Sequence, residues 1–410
     1  MIRLRTSSIT AAFAVAALVL AGCSSGSGGD ADGALTASDS TTAPTDATTT
    51  TAAPTTTVDP AAIASTYADF GPNPVGVTTL QLAKGPLVEV WYPAVEGTSG
   101  TETYDVREFT PEVIRTLLTG DASATYSYPA GRDAAVADGA YPVVLFSHGF
   151  TGIRLQSSFL TAHLASWGMI VVSPDHPSRD LTNVLGGTAS GDRADAVDDL
   201  LQSLDLITAA NDDPASRFAG HVDASNVVAV GHSAGGGTVL AAADDDRIDG
   251  YVSLASGAAL AGDGSSTSVP PVLPAKPSFF MAGSTDAVVP AATRTRPSWE
   301  AAPSPSLLWI LEGVGHNGFD DFCTFGNGTG IIGVAEASGL GPVLDAQPQL
   351  RTLGEDGCIP PSVPVTTSFP VITHGVTAWI RALFGLDTEP VGIGADFAGA
   401  FAVPVEISEK

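Results

Sequence analysis

A serine framed by glycines stands at Gly231-His232-Ser233-Ala234-Gly235, inside the stretch VAVGHSAGGGTVL. The form G-x-S-x-G can hold a hydroxyl nucleophile on a strained turn, but the pattern alone is weak. Gly22–Gly26, GCSSG, is a second match in the same chain. A glycine-rich turn can also cradle phosphate, which requires G-x-x-x-x-G-K-[ST] or G-x-G-x-x-G; GHSAGGGT has neither the lysine nor the spacing. A serine hydroxyl hardly ionises near neutral pH, so a nucleophile needs a base, and the base needs a carboxylate to fix its tautomer. Only two histidines follow Ser233. His316, in LLWILEGVGHNGF, sits just past an apolar run between glycines and is the expected base. His374, in FPVITHGVTAWIRALF, reads as part of a closing amphipathic helix and is expected to be structural. For the acid, SFFMAGSTDAVVP puts Asp286 on a turn after another apolar run. Asp263, in the polar AGDGSS loop, is the alternative, and Asp249 precedes its run rather than following it.

These residues need a frame. Apolar runs of strand length recur at Val77–Leu82, Leu87–Tyr92, Val143–Phe146, Ile170–Ser173, Val227–Val230, Tyr251–Leu254, Ser278–Met281 and Leu307–Leu311. Most are near-continuous, as expected of strands buried on both faces. Between them lie helical patterns at Gln156–Ser166, Ala194–Ala209 and Gly237–Ala243. In the second, Val197, Leu200, Leu201, Leu204 and Ile207 form one stripe. Alternating strands and helices predict an α/β fold with a mostly parallel central sheet of about eight strands, helices on both faces, and loop insertions. The first two runs, joined by AKGP, predict an antiparallel lead-in hairpin. The insertions are expected at about residues 98–139, 177–191 and 318–370, as pocket walls or a lid. TPEVIRTLLTG within the first is a candidate helix, and residues 387–410 are a tail with no assignment.

Only the match at Ser233 follows a buried run, Val227–Val230, and opens a helix. That strand–turn–helix placement forces the serine Oγ above the sheet. An oxyanion hole should complete the site, with one donor from the N–H of Ala234. The second donor is expected from VVLFSHGFTG, where the turn at His148-Gly149 lets the N–H of Phe150 point inward while its ring lines the pocket. His232 is expected to orient the turn, His163 and His221 to be helix and loop residues, and Trp167 and Trp309 to be core. His176, in SPDHPSRD, edges a candidate pocket loop and could face substrate.

PVVLFSHGFTGIRLQSSFLTAHLASWGMIVVSPDHPSRD together with GHSAGGGT resembles the α/β-hydrolase branch of platelet-activating-factor acetylhydrolases and cutinase-like polyester hydrolases. In that fold the partners follow in the order serine, acid, histidine, so Asp320 and Asp321 come too late in the chain. GHNGFDDF resembles the acetylhydrolase pattern His-x-x-Phe-x-Asp-Phe. In those acetylhydrolases the acid follows the strand next after the nucleophile's, and the matching YVSLASGAA has no carboxylate. GSTDAVVP is instead similar to the acid loop of the polyester hydrolases, which supports Asp286. The resemblance covers roughly residues 75–386, and the insertions match neither group closely.

The remaining composition concerns location and partners. Residues 1–22 carry Arg3 and Arg5, an apolar stretch and LAGC at Leu20–Cys23, the layout of a secretory leader. LAGC resembles the lipobox of bacterial lipoproteins, which makes Cys23 the expected lipidation site; an ordinary leader with an incidental cysteine is the rival. Residues 23–60, almost all Ser, Thr, Ala, Gly, Pro and Asp, read as a disordered tether. Residues 61–386 then form the expected catalytic domain. The formal charge is −27 with lysines only at 84, 276 and 410, which makes nucleic acid an unfavourable partner. Cys323 and Cys358 form an even pair in an oxidising compartment, and bridging them constrains the unfolded chain by about 3–4 kcal/mol. No CxxC or histidine cluster accompanies them, so no metal and no organic cofactor is expected.

The expectation is a lipid-anchored, extracytoplasmic serine hydrolase of carboxylic esters, a monomer held at the cell membrane through its lipid. Its substrates would be short-acyl esters, short-chain or oxidised phospholipids, or polyesters. The rivals are a non-catalytic surface-binding lipoprotein on the same fold and an amidase or acyltransferase using the same triad.

Overall fold

The computed structural model describes residues 59–258 and 272–410. Cys23, the leader, nearly all of the tether and Asp263 lie outside the described residues.

All eight apolar runs are strands: β1 (Val75–Gln81), β2 (Leu87–Pro93), β6 (Tyr141–Ser147), β7 (Ile170–Pro174), β8 (Val222–His232), β9 (Gly250–Leu254), β10 (Ser278–Gly283) and β11 (Ser306–Leu311). The strands missing from that reading are short or at an edge: β3 (Thr101–Asp105), β4 (Thr125–Pro129), β5 (Gly131–Arg132) and β12 (Val405–Glu409). Ten strands form one sheet in the order β12-β11-β10-β9-β8-β6-β7-β2-β1-β5, and β3 pairs with β4 separately. From β7 to β11 every neighbouring pair is parallel, while β2 pairs antiparallel with both β7 and β1, and β12 pairs antiparallel with β11. The segment after Leu386 therefore belongs to the domain. Its Val405 and Ile407 alternate with Glu406 and Ser408, a half-buried edge pattern too short to read without its partner, Leu307–Leu311.

Side-chain alternation divides the core into two layers. Val143, Leu145, Val227 and Ala229 pack with Leu200, Leu204, Val239 and Leu240 from helices Arg193–Asp212 and Ala234–Ala242. Val144, Phe146, Val228 and Val230 pack on the other face with Phe159, Leu160, Val376 and Ile380 from helices Ser158–Ser166 and Val365–Leu383. Each central strand thus buries both faces, which is why its sequence reads as a continuous apolar run.

The insertions are more regular than their sequences suggest. Residues 98–139 contain β3, β4, β5 and two short helices, the 3-10 helix Val106–Phe109 and Glu112–Arg115. Residues 177–191 contain helix Leu181–Gly186, capped by the Asp180 side chain. The expected loop at 318–370 is largely helical, with Gly330–Ala337, Gly341–Asp345 and Pro348–Glu355 in succession. Pro342 and Pro348 stand in the first turns of the latter two, where a missing N–H costs nothing, so these prolines start helices. The three helices arch over the carboxyl end of the sheet, and we call them the hood.

Candidate active site

Ser233 occupies the turn between β8 and helix Ala234–Ala242 at φ 55°, ψ −121°, a conformation costly for a residue with a Cβ. Glycines make the turn possible. A Cβ on Gly235 would collide with the Ser147 carbonyl of β6, and one on Gly231 with the Gly235 carbonyl. His316 follows β11 and Asp286 follows β10, so the parallel order brings both to the same sheet edge as Ser233. His316 Nε2 lies 2.9 Å from Ser233 Oγ, and His316 Nδ1 lies 2.8 Å from Asp286 Oδ2. The other Asp286 oxygen accepts from the N–H of Val289 at 2.6 Å. Asp356, at the foot of the hood, accepts from the N–H of His316 at 2.7 Å and from that of Ala287 at 2.8 Å. One carboxylate so ties together the loops that carry the base and the acid.

The expected oxyanion donors are oriented by what holds the far side of their peptides. In a trans peptide the C=O and the following N–H point in opposite directions. The Gly149 carbonyl accepts from His148 Nδ1 at 2.9 Å and from the N–H of Gly152 at 3.1 Å. The Ser233 carbonyl accepts from Ser256 Oγ at 2.6 Å. The N–H groups of Phe150 and Ala234 therefore turn the other way, and among the described residues neither has a hydrogen-bond acceptor. The Phe150 ring lines the pocket while remaining half exposed.

His148 Nε2 accepts the backbone N–H of His176, which can only donate, so the proton must sit on Nδ1. The preceding peptide is fixed at both ends. Arg179 donates to the His148 carbonyl, and Gln156 Oε1 accepts from the N–H of Gly149 at 3.0 Å. The Gln156 amide then donates to His232 Nδ1 at 2.6 Å, and His232 Nε2 donates to the His316 carbonyl at 3.1 Å. His232 thus links the oxyanion loop to the histidine loop, besides standing in the turn. Sequence reading missed Gln156, Ser256 and Asp356, since each acts on a backbone atom of a segment distant in the chain.

His176 does not face substrate. It is fully buried, with Nε2 at 2.9 Å from Ser147 Oγ and Nδ1 at 3.0 Å from Asp199 Oδ2. This is a second Ser–His–Asp chain of similar geometry, but Ser147 has no exposure, and its Oγ already accepts from Arg179. It braces the strand that carries the oxyanion loop. His374 is also structural, accepting from the N–H of Tyr67 and donating to the Gly392 carbonyl.

Asp321 accepts from the N–H groups of Ser158 and Phe159 and from the Tyr104 hydroxyl, which anchors the histidine loop to a helix start. Asp320 is fully buried, and its Oδ2 has no hydrogen-bond partner among the described residues. Burial, reinforced by Asp321, raises the Asp320 pKa well above the carboxylate range; burial does the same to Asp321. Cys323 and Cys358 form the expected disulfide, which joins the histidine loop to the foot of the hood. Among the described residues no group of His, Cys, Asp or Glu is placed to hold a metal.

The buried histidines set an acid limit on stability. Burial holds His148, His176 and His232 well below 6.5, and His163 and His374 down to about 4 each. Their folded pKa values are depressed, so the folded state binds fewer protons than the unfolded chain below pH 6.5. Stability is then full above 6.5 and falls with pH, by up to about 1.4 kcal/mol per unit for each histidine. Asp175, Asp199, Asp320 and Asp321 have raised values and act in the opposite sense, but they are four against five. Melting curves at pH 7.5, 6.5 and 5.5 should show Tm falling toward acid. A constant or rising Tm would contradict the neutral histidines.

The profile of the PET hydrolase-like family matches residues 93–327, more than half of the chain and the whole span from the end of β2 to the loop after His316. The chain belongs to the PET hydrolase-like family. No curated protein matches it. Among solved structures, a ferulic acid esterase from Streptomyces cinnamoneus aligns with TM-score 0.52 at 20% identity, covering 76% of this chain and 90% of that one. At that identity the likeness speaks for the fold alone, and the fold is that of the α/β-hydrolases. This PET hydrolase-like protein is accordingly a carboxylic ester hydrolase, and its hood begins at Gly330, just beyond the family match.

Proposed function

We propose that this PET hydrolase-like protein cleaves carboxylic esters through Ser233, His316 and Asp286, by way of an acyl-enzyme. The unbroken path from Ser233 Oγ through His316 to Asp286, beside two N–H groups with no acceptor, carries this reading. Ser233 Oγ attacks the ester carbonyl carbon as His316 Nε2 takes its proton. The new oxyanion accepts from the N–H groups of Phe150 and Ala234. Collapse breaks the bond to the alcohol oxygen, which leaves with the proton from His316. Water then attacks the acyl-enzyme, again giving its proton to His316; collapse breaks the bond from the acyl carbon to Ser233 Oγ, which takes that proton back from His316 as the acid departs. Asp286 holds His316 with its Nδ1 proton inward and stabilises the imidazolium. No metal or organic cofactor enters the scheme.

The leader and LAGC support export with a lipid on Cys23, and residues 24–60 supply a tether. The protein would then act at the outer face of the membrane, as a monomer.

Labelling tests the nucleophile without altering the fold. Diethyl p-nitrophenyl phosphate should transfer its phosphoryl group to one serine and release one nitrophenolate. Mass mapping should place the adduct on Ser233, with none on Ser147 despite its own histidine partner. An adduct elsewhere, or full labelling of Ser233→Ala, rejects the assignment.

A further inference from the structure

The hood, outside the family match, is what faces Ser233. A cavity of about 150 Å³ adjoins the nucleophile. Its polar end is formed by Gln156, His232, Ser233, His316 and Asp320, and Leu181 and Leu185 close one side. Ile331, Ala335, Leu344, Leu350 and Leu353, all from the hood, supply much of the rest. These residues come from all three hood helices, so the apolar wall exists only when the helices are in place.

The hood is fastened at its foot. Asp356 holds the N–H of His316, Asn317 donates its side-chain amide to the Leu353 carbonyl, and the disulfide follows at Cys358. The turn after its first helix is tied by the N–H of Gly120 to Ser338 Oγ, and the segment before the hood by the N–H of Gly326 to the Ser123 carbonyl. A wall fixed this way at both ends sets the size of what can lie against Ser233.

Size then selects the substrate. Apolar cavities of about 150 Å³ hold a single benzene ring, whereas pockets for drug-sized ligands run to roughly 300–1,000 Å³. We propose that the hood restricts this enzyme to discrete esters whose apolar group is a single ring or a chain of about six carbons, and closes it to long-chain lipids and polymer chains. This rests on Ser233 as nucleophile and adds the substrate class.

The test is a pair of ester series on the full mature protein, one varying the acyl group on p-nitrophenol, the other varying the alcohol of butyrate esters. Within the size limit each added methylene should raise kcat/KM roughly fourfold. Beyond it, in the series whose variable group enters the cavity, kcat/KM should fall at least tenfold by dodecyl length. Benzoate should rank with the best acyl groups, and polyester film should release no product above the Ser233→Ala blank. Leu353→Ala should move the optimum to longer chains. Leu350→Trp and Ala335→Leu, from different helices, should lower the benzoate-to-acetate ratio at least tenfold, with folding checked by melting curves. Equal rates from butyl to dodecyl in both series, steady release from film, or an optimum unmoved by all three substitutions would overturn the proposal. Activity retained by Ser233→Ala would instead strike the nucleophile, whatever the chain-length profile.

Discussion

Ser233→Ala should lower kcat by about 10⁴- to 10⁶-fold on any ester the protein turns over, with KM little changed. The alanine leaves the two N–H donors and the cavity in place, so binding persists while the covalent step disappears. Asp286→Asn should cost about 10⁴-fold for a different reason. His316 Nδ1 now faces Asp286 Oδ2 at 2.8 Å; an amide nitrogen there would donate to Nδ1 and drive the proton to Nε2. His316 could then no longer accept from Ser233 Oγ. The losses should not add, since the three side chains act on one proton: the double variant should be about as slow as Ser233→Ala alone. A rate for Asp286→Asn within tenfold of the parent would give the acid role to another carboxylate. Asp263 is then the residue to substitute, as the other candidate between Ser233 and His316 in the chain.

The parts of this site that sequence made legible share a property: each is announced by residues next to it. The Ser233 turn is framed by glycines whose need is local, since a Cβ at Gly231 or Gly235 would meet backbone within the turn or on the adjacent strand. Asp286 and His316 follow β10 and β11, and a parallel sheet aligns the ends of its strands, so chain order becomes spatial proximity. Cys323 and Cys358 were an even pair with no rival chemistry, and they are bonded. What stayed hidden depends on partners far along the chain. Gln156 reaches His232, 76 residues on, and Asp356 reaches His316, 40 residues back. Neither residue has a neighbour that hints at its role. The hood reads as loop in sequence because its helices are only five to eight residues long and rich in glycine. Helices that short are unstable alone and exist by packing, which no local window can see. The role of His176 is hidden for the same reason, because its partners Ser147 and Asp199 belong to other elements.

His148→Ala should lower kcat by roughly 10²-fold although His148 touches no substrate atom. Losing an oxyanion donor outright costs about 10²–10³-fold. Here the donor, the N–H of Phe150, remains, but the peptide that aims it loses the bond from His148 Nδ1 to the Gly149 carbonyl. Gly152 still donates to that carbonyl, so the peptide is loosened rather than freed. The N–H of His176 also loses its acceptor, which removes the brace between this loop and the chain after β7. His148→Asn separates the two functions. Its side-chain nitrogen can stand where Nδ1 stands and donate to Gly149, but it leaves nothing in place of Nε2, so it should recover about tenfold of the lost kcat. A merely structural residue would move Tm and leave the balance between ground and transition states alone. The discriminating measurement is therefore the affinity of a boronic acid, whose tetrahedral adduct on Ser233 places an oxygen in the oxyanion position. That affinity should fall in step with kcat across His148→Ala and His148→Asn while KM stays within a few-fold. Parallel losses in kcat and KM, with boronate binding unchanged, would show that the Phe150 N–H does not serve the oxyanion. The second donor would then have to be sought elsewhere on the loop after β6.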